Sequence, residues 1–364
     1  MSHIVHPADI EAKLATIWSS FQATNKMRAC LFNLIVYAER KERAEYLTAI
    51  SQKVIEKFPS RVLFITYDAS SQDSKVKTAV SVLTAEAGVN VIACDLIEIV
   101  VSPKTRARIP FMLLPHILPD LPIYVVYGGD PTRESDTSRQ LEALASRIIF
   151  DSEEAPDLVS FAQAVVAKKE KQTLDVADLN WARIEGWRQL FANVFKSPEE
   201  LAFLRQASTI KIHFNHRKAP AFQRIHIQSV YLQSWLATQL GWTLTGCEKK
   251  GDELSFSYTA NNQPIDVTLL PKQMPLTSLG RPLSVAIQTR TQTNYLFARQ
   301  ESCPNHVLIE KSTPSFCSLP TTFIFEQDVS GKSLVSEICK KGSSWHYVTM
   351  LSQLAQLQTR GVLL

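Results

Sequence analysis

Few clusters in this 364-residue chain bring together residue types able to do chemistry. His213 and His216 form a close histidine pair; Cys247 lies well beyond them, and no carboxylate lies nearby. A zinc site takes three or four protein ligands, so the pair reads as histidines on a basic strand end. Asp68, Asp95, Asp130 and Asp151 fall at or near the ends of apolar runs. There, an α/β enzyme could use a carboxylate or a general base, although polar strand ends are equally a structural habit of such folds. Cys30 and Cys94 sit inside apolar runs and read as small core residues. Cys303 and Cys317 lie in loop-like contexts where a thiol could be redox-active. His116 reads as a capping or core histidine.

The phosphate-binding signatures are missing. A dinucleotide fold carries a glycine-rich loop after its first strand, because backbone amides must approach the phosphates closely. Here Glu39-Arg40-Lys41-Glu42 follows that strand, and Gly128-Gly129-Asp130-Pro131 reads as a turn. There is no GxSxG nucleophile elbow. No catalytic residue, cofactor site or metal site is therefore expected.

Charge is the remaining signal. The net balance of +4 is unremarkable as a whole. Residues 1–172 carry 20 Lys+Arg against 21 Asp+Glu, and residues 173–364 carry 19 against 14. Leu201 to Cys247 contains no acidic residue but includes Arg205, Lys211, Arg217, Lys218 and Arg224. Such a stretch suits a phosphorylated metabolite or an acidic protein face, or is simply a solvated positive face. No nucleic-acid motif accompanies it, and no nucleic-acid partner is expected.

These residues need elements to hold them. Ile10, Leu14, Ile17 and Phe21 predict an amphipathic helix. Apolar runs at Cys30–Ala38, Arg61–Asp68, Asn90–Val101, Pro122–Tyr127 and Arg147–Phe150 predict buried strands, with helices over 41–57, 103–114, 135–145 and 156–168 between them. Val76–Thr84 reads as a half-exposed strand or a helix. After a boundary near residue 172, helices are predicted over 178–195, 198–206 and 221–240, with a strand over 208–214. Short strands follow at 242–247, 254–259, 264–270, 283–289, 294–300, 306–311 and 321–326, and helices over 331–341 and 345–360 close the chain. The expectation is an α/β domain over 1–172 with a mixed, mostly parallel sheet. An α+β domain over 173–364 with a largely antiparallel sheet follows it. Hydrophobic residues make up 45% of the chain, which excludes disorder as the main state. The longest apolar runs fall short of the ~20 residues of a membrane span. The start MSHIVHPADIEAKLATIW lacks a secretory pattern, and six cysteines without a CxxC pair suit a reducing cytoplasm.

Several phrases in order resemble one family, the OpcA proteins, glucose-6-phosphate dehydrogenase assembly proteins. They are Arg28-Ala29-Cys30-Leu31-Phe32-Asn33-Leu34-Ile35-Val36, Leu118-Pro119-Asp120-Leu121-Pro122-Ile123, Ser146-Arg147-Ile148-Ile149-Phe150-Asp151-Ser152, and Asp178-Leu179-Asn180-Trp181 with Trp187-Arg188. The resemblance implies a non-catalytic partner of glucose-6-phosphate dehydrogenase that favours its active oligomer in the oxidative pentose phosphate pathway. Arg217, Lys218, Arg224 and Lys211 are then the expected docking residues. The alternative is a sugar-phosphate-binding enzyme of the same pathway, with its site at the strand carboxyl ends.

Overall fold

The computed structural model describes residues 2–21, 26–39, 41–87, 90–171, 174–216, 226–326 and 331–357. The chain divides into two compact units. Unit 1 comprises Met1–Ala155, Ala167–Leu179 and Val329–Ser343, and unit 2 comprises Pro156–Val166, Asn180–Asp328 and Ser344–Leu364.

Among the described residues unit 1 holds the strands β1 (His3–Val5), β2 (Lys26–Arg28), β3 (Asn33–Ala38), β4 (Arg61–Tyr67), β5 (Lys77–Ala87), β6 (Asn90–Val101), β7 (Ile123–Gly128), β8 (Arg147–Phe150) and β9 (Asp175–Asp178). The sheet order is β1-β5-β6-β4-β3-β7-β8-β9, with β2 also on β6. From β6 to β9 every neighbour is parallel, whereas β5 pairs antiparallel with both β6 and β1. The mixed, mostly parallel sheet expected for the first domain is what forms. Numbered along the chain, the six strands from β6 to β9 follow the order 3-2-1-4-5-6, that of a doubly wound dinucleotide fold. β5 pairs antiparallel with β6, so the strand reading of Val76–Thr84 holds and the helix reading does not.

Helices α1 (Ile10–Phe21), α2 (Lys41–Ile55), α3 (Ile109–Leu113) and α4 (Asp136–Leu144) join these strands, and α5 (Leu158–Lys171) precedes β9. The helix expected over 103–114 is broken into short turns around α3, because Pro110 and Pro115 each lack an amide donor. The polar strand β9 was not anticipated. Its Asp178 carboxylate accepts from the Ser152 amide at 3.0 Å and the Ser152 hydroxyl at 3.2 Å, which anchors a four-residue strand with little apolar surface.

Several charged groups inside this core are paired. Asp95, mid-strand in β6, accepts from Arg61 Nη2 at 2.8 Å and from Trp18 Nε1 at 2.6 Å. Arg61 also meets Glu11 at 3.0 Å, and Glu11 meets His116 at 2.8 Å, tying α1 to the sheet. Arg147 bonds Glu337 at 2.7 Å and the Gly342 carbonyl at 2.7 Å, which draws α10 (Lys332–Cys339) onto this unit. Gly331 opens that helix at φ +84°, and a Cβ there would stand 2.7 Å from Lys53 Cβ.

Unit 2 holds β10 (Ala207–Asn215), β11 (Thr243–Lys250), β12 (Glu253–Ala260), β13 (Gln263–Lys272), β14 (Pro282–Thr289), β15 (Asn294–Arg299), β16 (His306–Ser312) and β17 (Thr321–Ile324). The order is β11-β12-β13-β10-β14-β15-β16-β17, and only β10 with β13 is parallel. This is the largely antiparallel sheet expected for the second domain. Its helices are α6 (Leu179–Arg183), α7 (Glu185–Val194), α8 (Pro198–Arg205), α9 (Ile227–Gln239) and α11 (Trp345–Ala355). The single helix expected over 178–195 is two, interrupted at Ile184.

Alternation decides which sheet face is covered. Leu254, Phe256, Tyr258, Tyr295 and Phe297 are buried, while Ser255, Ser257 and Asn294 are exposed. The buried side meets the helices through the Phe191–Phe297 and Phe195–Tyr295 ring pairs and the Tyr258 hydroxyl on Gln233. Each such apolar side chain contributes about 1.5–3 kcal/mol. Asp95→Ala, which leaves Arg61 charged and buried, is expected to cost about 3–5 kcal/mol in urea unfolding of unit 1, against about 1 kcal/mol or less for the exposed Asp136→Ala.

Candidate functional site

A doubly wound sheet offers its ligand crevice where the winding reverses, outside the carboxyl ends of the strands. Here that point lies between β3 and β7. Tyr37 and Tyr127 stand opposite each other in the parallel ladder, and their rings stack with centroids 5.3 Å apart. The Tyr37 hydroxyl donates to Glu39 Oε1 at 3.0 Å, and Arg106 Nη2 donates to the same oxygen at 2.9 Å. The Arg106 guanidinium lies 4.7 Å from the Tyr67 ring centroid. Burial, followed by the Glu39 charge, pushes both tyrosine hydroxyls well above their usual range, so both stay neutral and Tyr37 serves as a donor.

Glu39 fits closely against the second strand end. A Cβ on Gly129 would stand 3.0 Å from Glu39 Cδ, and one on Gly128 would stand 2.7 Å from Leu47 Cδ1. The two glycines therefore accommodate protein side chains. Asp130 completes their turn by accepting from the Thr132 amide at 3.0 Å and its hydroxyl at 2.6 Å.

A nicotinamide dinucleotide, the group this topology implies, does not fit these residues. Only Glu39 and Arg40 link β3 to α2, neither is glycine, and the Glu39 carboxylate engages Arg106. A pyrophosphate would have to displace that carboxylate and would gain no cradle of backbone amides.

The other candidate carboxylates are occupied by local partners. Asp68 ends β4 and accepts from the Ser70 hydroxyl at 2.6 Å and the Ser70 amide at 3.0 Å, bonds that lower its pKa. Asp151 ends β8 and is ion-paired with Arg43 of α2. Asp95 lies within β6, level with the start of β4 rather than at a carboxyl end, because Arg61 needs a buried counter-charge there. The structure brings no two of these four onto a common partner.

His213 and His216 diverge: His213 Nδ1 meets Ser284 Oγ at 3.0 Å, and His216 Nε2 lies 3.5 Å from Asp252. Among the described residues no group of three His, Cys, Asp or Glu could hold a metal ion. His116 is buried near Arg61, as a core histidine. Cys94 is buried and Cys30 half-buried; burial pushes the Cys94 thiol up to about 11.

Of the expected docking cations, Arg217, Lys218 and Arg224 lie outside the described residues. Lys211 is exposed on β10, on the side of the sheet opposite the helices. That side holds a cavity of about 640 Å³, lined by Lys211, Ala286, Leu296, Glu310, Gln288 and Asn294 among others. Sequence reasoning missed this face; alternation in β12 to β15 marked its residues as outward, without showing that they are coplanar.

Residues 51–167 match the family described as glucose-6-phosphate dehydrogenase subunit N-terminal domain, and residues 174–315 match its C-terminal domain. The chain belongs to the OpcA family. It is 24% identical over 211 residues to an OpcA protein of Nostoc punctiforme named for the OxPP cycle, covering 56% of this chain and 43% of that protein. It is 27% identical over 216 residues to an OpcA protein of Synechocystis sp., covering 55% and 41%. The chain thus matches less than half the length of these curated relatives. Among solved structures, levoglucosan dehydrogenase in complex with NADH and levoglucosan is similar in fold, with TM-score 0.51 and 10% identity over 90% of this chain and 95% of that one. Among the described residues, no helix is long and apolar enough to cross a membrane.

Calorimetric titration with NAD+ or NADP+ is expected to give no binding heat up to about 1 mM, well beyond the range of working dinucleotide sites. A thiol reagent at about pH 8 is expected to label the exposed Cys317 and Cys339 and to spare Cys94, whose thiolate forms only near pH 11. Mass spectrometry of the labelled peptides reads the difference.

Proposed function

We propose that this chain is a non-catalytic assembly factor and allosteric activator of glucose-6-phosphate dehydrogenase, acting in the cytoplasm at the entry to the oxidative pentose phosphate pathway. The observation that carries this reading is the ordered pair of family matches over residues 51–167 and 174–315. Glu39, Arg106 and the tyrosine pair support the non-catalytic part, since they occupy with protein the place where a related fold would hold its redox cofactor. The alternative of a sugar-phosphate enzyme draws no support from the four aspartates, each bound to its own neighbour. An activator of this kind works through differential affinity: it binds the active oligomer more tightly than the inactive form.

The docking surface we favour is the acid-free stretch Leu201–Cys247, through Arg217, Lys218 and Arg224 after β10. Cations there would steer an acidic partner face and speed association. Added to the cognate dehydrogenase, the protein is expected to co-elute with it and to shift its sugar-phosphate saturation curve. The triple reversal R217E/K218E/R224E is expected to weaken that effect about tenfold or more, and more at low salt than at high. No complex and no shift with the native chain would refute the reading. An intact response in the triple variant would refute the docking surface alone.

A further inference from the structure

The helix-free face of the unit 2 sheet is ordered by its strand registers. In one cross-strand row Lys211 pairs with Ala286, Ala286 with Leu296, and Leu296 with Glu310. Read from β10 to β16, the row is cation, small, large, anion. It is complementary to itself when reversed. The neighbouring row, Thr209, Gln288, Asn294 and Ser312, reverses equally well, since it places hydroxyl over hydroxyl and amide over amide. On the other side, the small Ser284 and Ala298 are register partners.

We propose that this face docks a second copy of the same chain. The two-fold axis lies between the two sheets, parallel to the strands and over the gap between β14 and β15. It sets β10 over β16 of the second copy and β14 over its β15. Lys211 then faces Glu310 of the second copy, Leu296 fills the space over its Ala286, and both contacts occur twice, as an isologous interface requires. Sheets packed face to face cross at about 30°; Lys211 and Glu310 stand about 7 Å from the axis, so the crossing offsets them by about 4 Å, within the reach of a lysine.

Three further observations favour this occupant. Neither Lys211 nor Glu310 has an ion-pair partner among the described residues. Large apolar side chains lie exposed on or beside the face: Leu296 in its centre, Ile324 on β17 at 64% and Leu319 in the preceding loop at 87%. Six strands spaced by about 4.8 Å, each about six residues long and presenting about three of them, cover about 600 Å² per copy, or about 1,200 Å² in all, at the lower bound of specific interfaces. His213 on the same face is held toward its neutral form by burial and by Lys272 and Lys211, so it adds no unpaired charge. Lys211 is thereby separated in role from Arg217, Lys218 and Arg224.

Sedimentation of the intact chain from about 1 to about 100 μM tests this. A monomer–dimer equilibrium is expected. Ala286→Arg should abolish it without changing the circular dichroism spectrum. Lys211→Glu and Glu310→Lys should each weaken it about tenfold, and the double variant K211E/E310K should recover most of the loss. The triple variant R217E/K218E/R224E should dimerise as the native chain does. A monomer throughout, a dimer indifferent to A286R, or charge reversals that do not compensate would each overturn the proposal. Loss of dehydrogenase activation in A286R with a monomeric native chain would assign the face to the dehydrogenase and overturn it as well.

Discussion

At the point where the parallel sheet of unit 1 changes its winding, the Glu39 carboxylate takes two donors at once, the Tyr37 hydroxyl and Arg106. Much of that strand end follows from this. Tyr37 and Tyr127 can be buried at the ends of β3 and β7 because they stack and because Tyr37 has an acceptor. Gly128 and Gly129 are required because Leu47 and Glu39 occupy the space a Cβ would need. Arg106 can lie among aromatic rings because its charge is met. Each group satisfies the next, and the crevice that defines this topology is occupied by side chains of the chain itself.

The same economy governs the buried charges. An ion removed from water is stable only with a partner in good geometry, and unit 1 uses that requirement to attach its helices. Arg61 with Asp95 and Glu11 fastens α1, Arg43 with Asp151 fastens α2, and Arg147 with Glu337 fastens α10. Aspartates at strand ends, which by residue type alone could serve as general bases, are here counter-ions and turn caps. Their role is decided by which arginine lies opposite, and that is a matter of tertiary structure.

Local patterning made much of the fold legible. The runs that became β3, β4, β7 and β8 are mostly apolar, as strands covered on both faces are, and β6 is apolar around Asp95 and Glu98. The alternation in β12 and β15 announced a sheet with one wet face. The unread parts are those whose cause lies far along the chain. β9 has four residues and depends on Ser152; α10 returns to unit 1 through Arg147, and the Glu39–Arg106 pair joins residues 67 positions apart. The basic stretch was legible as charge but not as a site, and only Lys211 of the four expected docking cations lies within the described residues.

A protein of the kind proposed depends on how its surfaces bind. The open face of unit 2 presents serine, threonine, alanine and asparagine, side chains that lose little rotamer freedom when covered, on strands whose other side is fixed by a ring-packed core. Such a face is preorganised, and the cost of ordering it on association is small. Arginines and lysines after β10 have the opposite character: long, entropically expensive to immobilise, but effective at a distance in steering an acidic partner. A face of short side chains with one cation and one anion suits a lasting contact, and a run of long cationic side chains suits an encounter that is made and released. On these grounds the two features suit different partners, as the two proposals assign them.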